Sequence, residues 1–417
     1  CSFDNKSGIW NNELETFGEK KGAFKDFVKI SSEESIFNKK ISLEKNFKFI
    51  LSAPIYNKEW KDIFYREDNN LDNFKYNAAN ELIYKSKKLT KYKPDDFLLF
   101  KKNDLIFTDN KGNIFVFNLR ENRLVFKYNF YKKKYKKIKK RLFITVDENI
   151  IFASDNLGYL YALDYKKNQI LWAKNYKIPF NSNLKILTDK IIASNQSNNL
   201  LFFDKKNGNV LKSIPTEETI VQNQFINNIS YNKDEIFFLN SFGSIYSITK
   251  KKLKVKWFLN LNKTLELSTN NLFLGNQIVS SKNYVIVSSK NSTYIIDVNS
   301  GIIKYKYNFS TLTKPIINKD YIFLISRNNY LISINIKSGK ILYSYNINEQ
   351  VAKFLNSKTK ELELKKLFLL NNELMILLQN SYILNFKING NLEKIDKIPS
   401  KIQTFPVIAN GSFIFLD

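Results

Sequence analysis

The sequence predicts an all-β fold, a propeller of eight blades that are each a four-stranded antiparallel sheet. Three observations predict it. One frame of about fifteen residues recurs along the chain. Its copies break into short alternating runs separated by turns of Asn, Gly and Lys. Helical periodicity is hard to find between residues 95 and 417, which argues against a helical solenoid of similar period.

The frame is plainest at Gly158–Trp172, GYLYALDYKKNQILW. It recurs at Gly112–Phe126, Asn198–Lys212, Gly243–Trp257, Asn291–Tyr305 and Asn329–Tyr343, with a weaker copy from Asn380. The starts lie 46, 40, 45, 48, 38 and 51 residues apart, and a period of about 45 is in the propeller range. Each unit opens on a β-branched or aromatic run such as Ile151–Ser154. An alternating strand follows, Tyr159–Asp164 in that unit, then a turn such as Lys206–Asn209, then a strand ending in a large ring. Two strands across a short Gly/Asn turn form a hairpin. A further strand precedes each unit, for example Leu184–Leu187 or Thr313–Ile317, which makes four per blade. Gln403–Leu416 supplies the first two strands of an eighth unit, and Glu81–Lys88, ELIYKSKK, has the pattern of a last strand that would close the ring.

Phe126, Trp172, Trp257, Tyr305 and Tyr343 share one position of the frame. Recurrence in blade after blade is what packing needs and a single ligand does not, so these rings are expected to dock neighbouring blades. Lys212 stands where that ring is missing, so its seam is expected to be looser. Asp164, Asp204 and Asp297 also share a position, one that suits turn stabilisation.

Composition narrows the function. With 43% apolar residues, 35 Phe and 23 Tyr, the chain can bury a large core. Histidine is absent, which removes Ser-His-Asp and Cys-His catalysis and the HExxH zinc motif. There is a single cysteine, so no internal disulfide forms, and no run of 18 apolar residues spans a bilayer as a helix. The net charge of +27 comes mostly from Lys, spread over the chain alongside abundant Asn and Ile, and no nucleic-acid-binding motif accompanies it. The densest run, Tyr131–Arg141, reads either as a solvated loop between strands or as a patch for anionic lipid or an acidic partner.

The sole cysteine is Cys1. In that position it resembles the lipidated residue of a processed bacterial lipoprotein, with Ser2 fitting sorting to the outer membrane. Acyl chains there would anchor a soluble domain to the bilayer. Residues 1–40 then read as a polar tether that includes a short helix at Ser32–Lys40, 41–80 as an extended segment wrapping toward the ring, and 81–417 as the propeller.

The frame G-x-L-Y-A-L-D … G-x-x-L-W is similar to the repeat of PQQ-type propellers, of the WD40-like architecture. Together with the N-terminal cysteine it resembles the BamB family of outer-membrane assembly factors, over roughly residues 80–417. The resemblance implies an eight-bladed, non-catalytic, periplasm-facing scaffold without a cofactor. It would bind the POTRA domains of an Omp85-type barrel assembly protein and help nascent outer-membrane proteins reach it. The family continues with another turn and strand where this sequence stops at Asp417, so a truncated sequence and a closing blade one strand short both remain open. The family's contact surface lies on the connections after two consecutive blades. That implies partner-binding roles for Pro179, Phe180, Lys185, Glu217 and Glu218, the acids standing out in a basic chain.

Two other functions compete. Quinoprotein dehydrogenases share the repeat, but hold Ca²⁺ through Glu, Asn and Asp near the propeller axis and often carry a vicinal disulfide, which one cysteine excludes. A sugar- or cell-wall-binding propeller would use exposed Tyr and Trp, and no aromatic cluster lies outside the shared frame position.

Overall fold

The computed structural model describes residues 2–3, 10–11, 37–77, 81–131, 135, 137–217, 225–261, 273 and 275–417. The chain divides into two units, Cys1–Ile36 and Phe37–Asp417. In the first, Ser2–Phe3 pairs antiparallel with Trp10–Asn11. Of the helix expected over Ser32–Lys40, residues 32–36 lie outside the described set and 37–40 form none.

The second unit is a β-propeller. Alternation of apolar and polar residues makes each frame a meander of antiparallel strands, and seven such blades follow one another. Blade 1 comprises Leu99–Lys101, Asp104–Thr108, Asn113–Asn118 and Arg123–Asn129. Blade 2 comprises Leu142–Asp147, Ile150–Asp155, Tyr159–Asp164 and Gln169–Asn175. Blade 3 runs from Lys185–Leu187 to Val210–Ile214, and blade 4 from Asn228–Tyr231 to Val255–Asn260. Blade 5 runs from Val279–Ser280 to Ile303–Tyr307, blade 6 from Ile316–Asn318 to Ile341–Asn346, and blade 7 from Leu364–Leu370 to Leu392–Lys397. A two-stranded hairpin, Val407–Ala409 and Ser412–Ile414, follows. First strands neighbour one another between blades 1 and 2, 2 and 3, 4 and 5, and 6 and 7, and Val407–Ala409 lies against Leu99–Lys101, bringing the end of the chain back to blade 1.

Burial follows strand order. The second strand of blade 6, Tyr321–Ile325, is buried throughout, whereas the outer strand of blade 2, Gln169–Asn175, is exposed at every second residue or more. Bulges between the third and fourth strands recur at Ala162/Leu163, Phe202/Phe203, Ser247/Ile248, Ile295/Ile296 and Ser333/Ile334, each adding twist at the same frame position.

The shared aromatics meet the next blade. The Trp172 indole donates to the Lys205 carbonyl at 3.1 Å, Trp257 to Val298 at 2.8 Å, and the Tyr305 hydroxyl to Lys337 at 2.5 Å. A Cβ added to Gly208, Gly301, Gly339 or Gly390 would fall within 3 Å of Trp172, Trp257, Tyr305 or Tyr343 respectively. Phe126 is buried and meets Tyr165 of blade 2 edge-on. Lys212 has no such ring. Its seam is filled by a separate apolar cluster that includes Ile192, Phe202, Phe238 and Tyr246. The shared aspartates hold turns: Asp164 accepts from the amides of Lys166 and Lys167, Asp204 from Lys206 and Asn207, and Asp297 from Asn299 and Ser300.

Two elements differ from the sequence expectation. Residues 81–90 form no strand. Tyr84 stacks on Phe117 and Lys85 Nζ reaches the Asp417 carboxylate at 2.5 Å, but only side chains make that link. Between this segment and the hairpin lies a cavity of about 770 Å³ lined by Leu82, Leu105, Phe107, Phe413 and Phe415. The last unit therefore has two paired strands among the described residues. The other difference is an eight-residue helix, α1 (Ile347–Phe354), between blades 6 and 7. Its signal was local: Asn346 caps it by accepting from the Glu349 amide, with Glu349 at the third helical position.

Candidate functional site

Residues 57–74 pass through the middle of the ring and touch the first strand of every blade in turn. The Asn57 side chain donates to the Ile408 carbonyl of the hairpin at 2.6 Å. Glu59–Trp60 pairs with Phe100–Lys101 of blade 1. The Lys61 carbonyl accepts from Val146 N at 2.9 Å and Thr145 Oγ1 at 3.0 Å in blade 2. Lys185, opening blade 3, donates to Asp62 Oδ2 and Asn69 Oδ1, both at 2.7 Å, and to the Arg66 carbonyl. The Glu67 carbonyl accepts from Tyr231 of blade 4 and that of Asp68 from Ser280 of blade 5, both at 2.9 Å. The Asn70 side chain makes a reciprocal pair with Ile317 of blade 6 at 2.8 and 2.9 Å. Asn73–Phe74 then runs parallel to Leu369–Leu370 of blade 7.

The large apolar side chains of this hub are buried, as those of the blades are. Trp60, Phe64, Tyr65, Leu71 and Phe74 are all buried. Arg66 and two of the hub's carboxylates are matched inside it. Arg66 meets Asp68 at 3.0 Å and Asp72 at 2.5 Å, and the Tyr65 hydroxyl donates to Asp72 at 2.7 Å. Burial pushes Asp62 up from the usual carboxylate range, against the pull of Lys185 and of the Phe64 amide. Lys185 on one oxygen and Phe64 N at 2.7 Å on the other tie Asp62 both to blade 3 and to the hub's own backbone. Among the described residues no group of three or more His, Cys, Asp or Glu side chains converges to hold a metal.

The second feature is the surface made by the connections from blade 2 to 3 and from blade 3 to 4. Asn227 N donates to Asn181 O at 2.9 Å, and the Asn227 side chain reaches Ser194 Oγ, Asn195 O and Asn198 Oδ1. A buried asparagine network of this kind ties the two connections into one face. Phe180 is buried against Tyr176 and Phe203, and Lys185 is 1% exposed in its pair with Asp62. Both are spent inside the protein. Pro179 is half-buried, its carbonyl accepting from Gln196 N at 2.7 Å. Glu217 is exposed and accepts from Ser244 Oγ, while its carbonyl receives Asn198 Nδ2 at 3.1 Å. Ile178, 40% exposed beside Pro179, escaped the sequence reading because one isoleucine in an irregular stretch carries no period. Cys1 and Glu218 lie outside the described residues. In the basic run, Lys140 is buried over the Tyr131 ring at 5.1 Å, while Lys137, Ile138 and Lys139 face solvent.

Comparison with known proteins agrees on the architecture. The structure is similar to BamB from Moraxella catarrhalis at a TM-score of 0.58 and 13% identity, covering 74% of this chain and 89% of that one. It is also similar to a quinohemoprotein alcohol dehydrogenase from Comamonas testosteroni (TM-score 0.57, 9% identity, 84% and 75% covered) and to a europium-containing methanol dehydrogenase (0.58, 9%, 84% and 87%). At such identities these likenesses show the fold alone. No curated protein sequence matches. A family profile does, the one described as outer membrane protein assembly factor BamB, and it matches residues 108–345, from the second strand of blade 1 to the last of blade 6. That match covers more than half of the sequence, and the chain belongs to the family of the outer membrane protein assembly factor BamB.

Proposed function

We propose that the protein is a non-catalytic scaffold of the outer-membrane barrel assembly machinery, working at the periplasmic face of that membrane. Its connection face would grip the POTRA domains of an Omp85-type protein and so help nascent barrel proteins reach it. Family membership supports the reading, and the filled hub is the observation that carries it. A quinoprotein of this fold needs the axis for its cofactor and metal. Here residues 57–74 occupy the axis, with Trp60, Phe64 and Phe74 each no more than 2% exposed. On the connection face, exposed Glu217 and Ile178 pair one charge with one apolar contact, a combination that suits a basic partner patch with an apolar centre.

The test is co-purification from native membranes. The wild-type protein should bring down an Omp85-type protein, and Glu217→Lys combined with Ile178→Asp should reduce the yield at least tenfold. Absence of any Omp85 protein from the wild-type eluate overturns the proposal. So would calcium-dependent dye reduction with added PQQ, because the dehydrogenases of similar fold are the alternative.

A further inference from the structure

Three lysines from three blades converge on the hub, and only one of them meets a carboxylate. Lys185 of blade 3 takes Asp62. Lys314, leading into blade 6, donates to the Phe64 carbonyl at 2.9 Å. Lys366 of blade 7 donates to the Pro406 carbonyl at 3.2 Å and sits 4.9 Å over the Trp60 ring, with Phe368 and Phe405 at 5.0 and 5.7 Å. Phe64, Phe97 and Phe405 continue as a chain of ring contacts beside them. Neighbouring Lys365 differs in having three carbonyls, Ile402, Gln403 and Thr404, at 3.2 to 3.3 Å. Asp62 is taken, and Asp68 and Asp72 are held by Arg66. Among the described residues neither Lys314 nor Lys366 has a carboxylate within ion-pair distance.

An ammonium group has three donors, and one carbonyl leaves most of that capacity unused. Taking such a charge out of water is costly unless an anion compensates it. The cost is visible in both side chains. Burial, with the charge of Lys365, lowers Lys366 to about 7. Burial, with the charges of Lys366 and Lys185, holds Lys314 well below the ordinary lysine range. Neither residue is sealed off, since both keep partial exposure. Lys366 lies against three rings and one carbonyl, and Lys314 on one carbonyl, so neither ammonium group is balanced by a negative one.

We propose that Lys314 and Lys366 form an oxyanion site at the hub, taking a phosphate or carboxylate group at their ammonium groups beside Trp60 and the Phe64 carbonyl. Charge-assisted bonds of this type are about twice as strong as neutral ones, and rings that displace water strengthen them. The site uses residues that the proposed partner face does not.

Calorimetric titration of the full chain with inorganic pyrophosphate and, separately, citrate at matched low ionic strength tests it. Either probe should bind saturably, with the preferred one naming the group. Lys314→Met combined with Lys366→Met should weaken that binding at least tenfold. The double variant should fold, because it removes unpaired charge and keeps side-chain length, and its melting curve checks this. Lys137→Met with Lys139→Met, on the exposed basic loop, should change affinity less than twofold. No saturable binding of either probe, or an equal loss in the loop variant, overturns the site and leaves only diffuse attraction to a basic protein.

Discussion

The blades and the segment they enclose satisfy the same backbone groups in opposite ways. In the blades, ladders do it, and each blade repeats the work of its neighbour. In the hub, beyond two short strand pairings, isolated backbone bonds such as those from Val146, Tyr231 and Ser280 share the work with single side chains. Asn57, Asn69, Asn70 and Asn73 reach carbonyls of Ile408, Ile229, Ile278, Ile317 and Ser52, and Lys185 ties three hub residues at once. Stability in the ring is therefore spread over many similar contacts, as in other repeat architectures. In the hub it is concentrated in a few residues without substitutes. The difference teaches where a single substitution should matter most.

The largest effect is expected from Lys185→Met. It leaves Asp62 buried without its cation, and breaking a buried pair from one side costs roughly 3–5 kcal/mol. Urea unfolding measures it, and Asp62→Leu added to the same chain should recover most of the loss. The deficit should also shrink as pH falls. Burial raises the Asp62 carboxyl in the folded state, so the fold binds a proton more readily than the unfolded chain and gains stability on acidification. A loss below about 1 kcal/mol would mean that the hub shares its load as the ring does.

Gly208→Ala probes the ring at one of its seams, and a smaller effect is expected. Gly208 has φ +73°, and its added Cβ would lie 2.6 Å from the Trp172 ring. Left-handed backbone costs alanine about 1 kcal/mol and the contact adds about as much again, so a loss near 2 kcal/mol is expected in thermal unfolding. The neighbouring seams carry their own copies of the pair, which keeps the damage local.

The same contrast decides what could be read from sequence. The blades were legible because repetition multiplies a weak signal: rings at Trp172, Trp257, Tyr305 and Tyr343 recur at one frame position. The hub has no copy to compare with. Its apolar residues, Trp60, Phe64, Tyr65, Leu71 and Phe74, follow neither a period of two nor one of 3.6, because the segment lies on no single sheet or helix face and Trp60, Tyr65 and Phe74 pack on one another. A cluster of large apolar residues interleaved with Asp and Asn, in a segment without period, was the signal available. The roles of Phe180 and Lys185 were hidden for a related reason. Sequence places both on a connection, but only the ring's closure shows that one faces Phe203 and the other the hub.

The smallest effect concerns the seam that departs from the pattern. At the frame position of Gly208, Gly301, Gly339 and Gly390, blade 4 has Leu253, at φ 50°. The residue of blade 3 that would dock there is Lys212, where blades 2 and 4 have tryptophan. In this seam ring and glycine are absent together, whereas between blades 1 and 2 the smaller ring of Phe126 faces a blade with Asn168, at φ 53°, in that position, so the cycle asks whether the missing Cβ makes room for an indole. Lys212→Trp alone then meets the Leu253 side chain and gains little. Leu253→Gly alone relieves left-handed strain but loses apolar contact with the seam cluster, so it too is near neutral. Combined, they should rebuild the pair seen at Gly301 and Trp257. A double-mutant cycle should give a coupling of about 1 kcal/mol, in the range measured for residues in direct contact. Coupling near zero would mean that ring and glycine recur for separate reasons. The seams would then be held by their apolar clusters alone, as the one between blades 3 and 4 already is.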